Sequence, residues 1–380
     1  MKKKAITLFL AVVQLFLLSG CWNYMEIDDQ LHVAGMALDI GRQGCRCHLS
    51  VEVVTVSNSE SSNFESQIIE SDGNTVFEAI RNLMTLTSKK LYFGHCRIVV
   101  IGEPLAKYGI RELLDLPIRN HEMRANMDVL IAKGTTGERI LKTKAIATNI
   151  VSYKISDVLE TSAKAVGRAA ASKDYQVYDG VHSQGLSITI PSLELYRVGK
   201  EDIVKLCGAG VFRSDRLIGY LNEEQLKDLS LMKGKLKTGL VTSKASSCPY
   251  YTTSFEIYKT KTKMKITCSP DSVTAAYDVK LWVNVGEAQM QENFLDKSEL
   301  EATRRTLEAS LSKDMTALVK AAQQTYRCDF FGIGDQIQQQ DPDCWKRLQK
   351  NWETEFPKVQ FKIACEVSII GSGVSNISPA

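Results

Sequence analysis

Proline is scarce in this chain, with 8 in 380 residues, and charge of one sign is barely in excess, 47 Lys and Arg standing against 44 Asp and Glu. A net charge of +3 over this length leaves no electrostatic footprint for a nucleic-acid partner. With 44% hydrophobic and 24% charged residues, the composition argues against disorder and for an ordinary globular protein. Signatures of chemistry are missing too. There is no nucleophile elbow, phosphate-binding glycine loop, zincin helix or kinase motif. Gly332-Ile333-Gly334 is too short for a dinucleotide fingerprint and follows a helical pattern instead of a strand. Carboxylates are plentiful, yet no spacing sets two of them in one cleft. The sequence offers no catalytic residue and no cofactor site, and it reads as a non-enzyme.

What the chain does have is a processed start. Lys2, Lys3 and Lys4 precede an apolar run from Ala5 to Leu18 in which Gln14 is the one strongly polar residue. That run is about fourteen residues, short of the roughly twenty that span a ~30 Å hydrocarbon core. It reads as an export signal over residues 1–20, cleaved and not membrane-spanning. Leu18-Ser19-Gly20-Cys21 looks like a bacterial lipobox, with small residues for the peptidase and a thiol that takes diacylglycerol. Cys21 is therefore the expected lipid-attachment residue and the first residue of the mature protein. Two or three acyl chains, palmitate among them, hold a soluble domain on a bilayer, because each buried methylene contributes about 0.8 kcal/mol.

Removing Cys21 from the 10 cysteines leaves nine, an odd number scattered singly along the chain. Export favours pairing, but a chain with core enough to fold without staples reads better as carrying mostly free thiols. The one local cluster, Cys45-Arg46-Cys47-His48, lacks the second ligand pair a zinc site needs. On a strand, Cys45, Cys47 and Leu49 would share one face.

About 360 mature residues exceed what one core usually serves, so several domains are expected. The first, residues 21–192, opens with a hairpin: Leu31–Ile40, a turn at Gly41–Gly44, then Leu49–Val54. Ser57–Ser66 reads as an exposed loop. Thr75 and Glu78 form a capping box before a helix to about Ser88. A buried strand over Leu91–Ile101, a helix begun by Pro104 and a strand over Met127–Ala132 complete a mixed sheet. Residues 140–187 are either a small helical lobe or a mobile connector.

The second domain, residues 200–373, starts after the charged turn Gly199–Asp202. Strands are expected at 203–212, 217–221, 240–244, 250–258, 263–268 and 273–285, and Asn222 with Gln225 caps a helix. Lys259, Lys261, Lys263 and Lys265 would line one side of a strand. Two readings of that row are an anionic lipid contact and a solvated face that discourages edge pairing. Asp296–Arg327 is the clearest helix, roughly 45 Å long and laid across the second sheet. Asp341-Pro342 starts another, whose stripe of Trp345, Leu348, Trp352 and Phe356 reads as core packing, and Val359–Ile370 closes the chain as a strand. The fold class is α+β and multi-domain: mixed sheets flanked by helices, with the C-terminal sheet packed on a long helix.

Several stretches in this order resemble the Ger(x)C lipoproteins, the C subunits of spore germinant receptors. They are Cys21-Trp22 with Glu26-Ile27, Val33–Asp39, Gly94-His95, Arg119-Asn120 with Arg124, and Gly210-Val211-Phe212 with Leu217-Ile218-Gly219. Asp329-Phe330-Phe331-Gly332-Ile333-Gly334, Pro342, Trp345 and Trp352 complete the pattern. Asn23 stands where the family usually has aspartate, and Ala37 replaces the second glycine of a Gly-x-Gly-x-Asp pattern. The resemblance implies a lipoprotein on the outer face of the spore inner membrane that works with two membrane-embedded partners, the A and B subunits, in nutrient sensing. It supplies no catalytic residues to carry over. A solute-binding lipoprotein of a transporter, with its site between two domains, is the alternative from a different class. A lipid-anchored cell-wall hydrolase would need a carboxylate pair or metal triad that the sequence does not show.

Overall fold

The computed structural model describes residues 29–56, 64–120, 122–124, 126–145, 148–165, 167, 172–244, 250–289, 294 and 296–371, with Lys4, Ile6 and Phe9. Leu18–Cys21 and residues 57–63 of the serine-rich stretch lie outside the described residues. Among the described residues no helix is long and apolar enough to cross a membrane.

The first sheet has nine strands: β1 (Gln30–Ile40), β2 (Cys47–Val56), β3 (Phe64–Gly73), β4 (Lys90–Tyr92), β5 (Ile98–Gly102), β6 (Asp128–Ala132), β7 (Thr189–Val198), β8 (Glu201–Arg213) and β9 (Arg216–Leu221). Their order is β3-β2-β1-β5-β6-β7-β8-β9, with β4 beside β1. The centre, β1-β5-β6-β7, is parallel. Antiparallel pairs extend it at both sides, β1-β2-β3 and β7-β8-β9. Every residue of β5 and β6 is buried, as strands covered on both faces require. The apolar stretch 91–101 is not one strand, because Phe93–Arg97 turns, with the Cys96 amide donating to the Phe93 carbonyl at 3.0 Å.

Helices cover both faces of this sheet: α1 (Val76–Thr87), α2 (Glu103–Tyr108), α3 (Gly137–Leu141), α4 (Val151–Ala165) and α5 (Asp174–His182). Half of the expected capping box of α1 forms: Thr75 Oγ1 accepts from the Glu78 amide at 3.0 Å, while Glu78 Oε2 accepts from the Asn74 amide at 2.9 Å and not from that of Thr75. α1, α2 and α5 bury Leu83, Leu105 and Val177 against Leu38, Val99 and Ile131 on one face. α3 and α4 bury Ile140, Val151 and Ile155 against Ala37, Val100 and Leu130 on the other. The described part of 140–187, where the sequence leaves a lobe or a connector open, thus contributes to both faces of the first sheet.

The charged turn at Gly199-Lys200 does not interrupt the sheet. It is the tip of the β7–β8 hairpin, so β8 and β9 from the second family of strands complete the first sheet. Next comes α6 (Glu223–Met232), whose Asn222 cap accepts from the Gln225 amide at 2.8 Å. The second sheet follows as β10 (Gly239–Lys244), β11 (Thr252–Cys268), β12 (Val273–Ala288) and β13 (Gln360–Gly371), in that order, with β12 and β13 parallel. β11 is one strand of 17 residues where apolar content indicates two. Its polar middle alternates Thr inward and Lys outward, and Thr260 and Thr262 donate to the carbonyls of Leu236, just after α6, and Leu231, in its last turn.

α7 (Lys297–Lys320) crosses the inner face of this sheet and buries Leu307, Leu311, Met315 and Leu318. Its 24 residues reach about 36 Å. A π-helical turn over Ala321–Tyr326 then carries the chain to Arg327, whose φ of 50° ends the helix where its apolar periodicity ends. α8 (Ile333–Gln340) and α9 (Pro342–Leu348) close the unit, with Trp345, Trp352 and Phe356 buried as core. Leu307→Ala, at a fully buried position, should lower unfolding stability by about 3 kcal/mol in denaturant melts. Lys313→Ala, nearly two turns on at an exposed position, should change it by less than about 0.5 kcal/mol.

Candidate functional site

Two sets of buried carboxylates organise the molecule. On β1 and β2 the residues facing α3 and α4 are Gly35, Ala37 and Asp39, then His48, Ser50 and Glu52. Asp39 accepts from the Gly137 and Glu138 amides at 2.8 and 2.9 Å, capping α3. Glu52, fully buried, accepts from the Val151 and Ser152 amides at 2.8 and 2.7 Å and caps α4. Each carboxylate meets the positive end of a helix and orphaned amides at once. Burial raises the Asp39 pKa, and the two amides draw it partly back. A Cβ on Gly102 would lie 1.9 Å from Asp39 Oδ1, and one on Gly35 2.2 Å from Ser152 Oγ, so glycine is required at both. The Gly-x-Ala-x-Asp stretch of β1 is therefore a docking strip for helices.

Beside it, His48 is 2% exposed and its Nδ1 lies 3.1 Å from Asp72 Oδ1. Its Nε2 faces Glu70 and Glu138 at 3.7 and 3.8 Å without a hydrogen bond. These three residues could bring metal ligands within 4.8 Å of one another. Lys142 pairs with both glutamates, at 2.7 Å for Glu138, and Arg42 reaches Glu138 at 2.5 Å, so two side-chain cations already neutralise the pocket. The Lys142 contact holds the Glu138 pKa below the usual carboxylate range. The cluster is an ion network that buttresses α3. Cys47 takes no part, since its thiol turns to the opposite face and points at the Gly73 carbonyl at 3.4 Å.

The second set joins the two sheets. Asp329, 3% exposed, accepts from the Gly332 and Gly334 amides at 2.9 and 2.8 Å and from Trp352 Nε1 at 3.3 Å. Its carbonyl accepts from the Ser187 amide of the first unit at 2.8 Å. Ser183 Oγ donates to Asp335 Oδ1 at 2.8 Å, and the Asp335 amide donates to the Gly185 carbonyl at 3.3 Å. Gly185 and Gly334 meet backbone to backbone: a Cβ on Gly334 would sit 2.6 Å from Gly185 Cα. Gly332 adopts a φ of 82°, which favours glycine. Nearby, Tyr326 packs its ring on Gly219 of β9 and donates its hydroxyl to the Tyr220 carbonyl at 2.7 Å, while Arg213 donates to the Tyr326 carbonyl at 2.7 Å. Burial pushes Asp329 up to about 6 and Lys233, which donates to the Phe330 carbonyl, down to about 8.

Gly210 to Gly219 and Asp329 to Trp352, singled out in the sequence, thus gather at this junction. Arg119 is exposed and pairs with Asp115, while His95 packs near His32 and Tyr92 away from it. Glu52, Gly185 and Ser183 escaped the sequence reading. Only Glu52 left a signal, as a lone acid within the apolar run Leu49–Val54. Cys268 and Cys344 form a disulfide, and Cys45, Cys47, Cys96, Cys207, Cys328 and Cys365 are free. Burial pushes Cys47 to about 11 and Cys96 and Cys365 to about 12, which keeps these thiols protonated and unreactive.

The spore germination protein N-terminal domain matches residues 23–195, and the spore germination B3/GerAC-like C-terminal domain matches residues 207–373. The chain is similar to spore germination protein B3 of Bacillus subtilis (strain 168), 24% identical over 94% of this chain and 96% of that protein. It is also similar to spore germination protein KC of the same organism, 21% identical over 99% and 98%, and to GerQC of Bacillus cereus, 21% identical over 99% and 100%. In fold it resembles the crystal structure of the GerBC protein, with a TM-score of 0.57 and 20% identity over 88% of this chain and 97% of that one.

Gly334→Ala should destabilise the protein by about 2 kcal/mol in denaturant melts, because the junction has no room for a methyl group. A buried acid with a raised pKa contributes stability that is full below its unfolded pKa near 3.8 and lost as pH rises through about 6. The melting temperature of the wild type should therefore fall relative to that of Asp329→Asn between pH 4 and pH 6, and a flat difference would contradict the assignment.

Proposed function

Because the chain belongs to the Ger(x)C family of spore germination proteins, we propose that it is the C subunit of a nutrient germinant receptor. It is a non-enzymatic lipoprotein, anchored through diacylglycerol on Cys21 to the outer face of the spore inner membrane. There it assembles with the integral-membrane A and B subunits and couples nutrient sensing to germination. The observation that carries this reading is the pair of family matches, which together run from residue 23 to residue 373 with a gap only at 196–206.

The chemistry of the buried groups supports a coupling body over a catalyst. Asp39, Glu52 and Asp329 have their oxygens committed to backbone amides or an indole, which leaves none of them poised to move a proton to a substrate. A solute-binding role would use the groove of about 800 Å³ bordered by Arg111, His182, Arg213 and Trp352. Beside that groove Gly185 and Gly334 pack the two units backbone to backbone, which disfavours the opening on which capture between domains depends.

Deleting the gene and following germination in separate nutrients tests the proposal. Loss of the response to at least one nutrient is expected, and unchanged responses to all, in a strain without paralogous receptors, would overturn it. Cys21→Ala should release the protein from the inner membrane and reproduce the deletion. A variant that remained membrane-bound and active would refute the anchor.

A further inference from the structure

The outer face of the second sheet is basic. Lys259, Lys261, Lys263 and Lys265 of β11 are exposed on it. Cross-strand register adds Lys280 opposite Lys261, and Lys362 of β13 two strands from Lys265. In the same rectangle the carboxylates are Asp278, across from Lys263, and Glu366, paired with Lys280 at 2.5 Å. Part of this arrangement costs the fold. Like charges directly opposite, as at Lys261 and Lys280, are destabilising. Guarding an edge does not account for Lys280 either, because β12 is paired on both sides.

Apolar groups rim one end of the row. Lys259 lies over the Trp282 ring at 5.2 Å, and Tyr258 and Ile370 are 66% and 50% exposed. Lysine beside tryptophan and tyrosine is the side-chain set that settles at a headgroup layer, ammonium on phosphate and ring at the acyl boundary. Strand direction also favours a membrane. β1 runs parallel to β7 through β5 and β6, so the start of β1 lies at the same end of the sheet as Ser187, which bonds the second unit. From Cys21 to Gln30 an extended chain reaches at most about 30 Å. A tether before Gln30 would therefore leave the first sheet at the end to which the second unit is bonded.

We propose that the lysine face of β11, β12 and β13 docks on anionic phospholipid headgroups and fixes the orientation of the ectodomain on the membrane. The orientation argument rests on the Cys21 anchor; the basic face does not. Each lysine that meets an anionic surface strengthens binding roughly fivefold.

Full-length protein from a lipoprotein-processing bacterial host is placed with vesicles of phosphatidylcholine alone or with one-third phosphatidylglycerol. A water-soluble amine reagent then labels the lysines, which are read by mass spectrometry, and brominated lipid tests quenching of Trp282. Labelling of Lys261, Lys263 and Lys265 is expected to slow at least about fivefold with phosphatidylglycerol and to recover in high salt, while exposed Lys313 is unaffected. The triple variant K261Q/K263Q/K265Q should lose the quenching. Equal labelling on both vesicles overturns the proposal, as does protection that appears only when other membrane proteins are present, which would mark a protein-binding face. Flotation separates the two ideas. Protein that floats only with phosphatidylglycerol upholds the basic face and refutes the anchor, whereas protein that floats on both with equal labelling does the reverse.

Discussion

Asp329 is the constraint on which the rest depends. A carboxylate 3% exposed is costly to ionise, and three N–H donors offset that cost by fixing where Gly332, Gly334 and Trp352 stand. Once that loop is set, its backbone is offered to Ser187 and Gly185 of the first unit. Asp39 and Glu52 repeat the device, a buried acid satisfied by main-chain amides, to seat α3 and α4. The molecule is thus built by carboxylates that position backbone.

What was legible in the sequence was local. Caps at Thr75, Asn222, Asp296 and Asp341 mark helix starts, because a short polar side chain followed by helical periodicity has few other uses. The buried face of α7 follows from its spacing. What was not legible depended on partners distant in the chain. The Thr–Lys alternation at 259–262 carries too little apolar signal to join the strands expected at 250–258 and 263–268 until Leu231 and Leu236 are seen accepting from its threonines. A charged glycine turn looks like a boundary, and only the pairing of β7 with β8 shows it to be a hairpin. Ser183 and Gly185 matter solely because Gly334 and Asp335 arrive beside them from about 150 residues away. Asp39 was noticed as part of a family pattern, but its role became readable only with Gly102 and Gly137 packed around it.

A coupling subunit needs to pass displacement from one part to another without dissipating it. The contacts at Gly185–Gly334 and Gly219–Tyr326 are close-packed, backbone on backbone in the first and ring on backbone in the second, as a rigid junction requires. The cysteines fit the same picture. Cys47 and Cys207, buried thiols with raised pKa values, sit inertly in the first sheet, while the Cys268–Cys344 bond ties the end of β11 to α9 across 76 residues.

The hairpin at Gly199-Lys200 also bears on how the chain is made. During synthesis β7 is a raw sheet edge, with unpaired amides and carbonyls, until residues 201–221 emerge to cover it. α6 begins at Glu223, directly after β9, so closing that edge delivers the first helix of the second unit to its place. Chain order, and not only the final contacts, thus draws the two halves together.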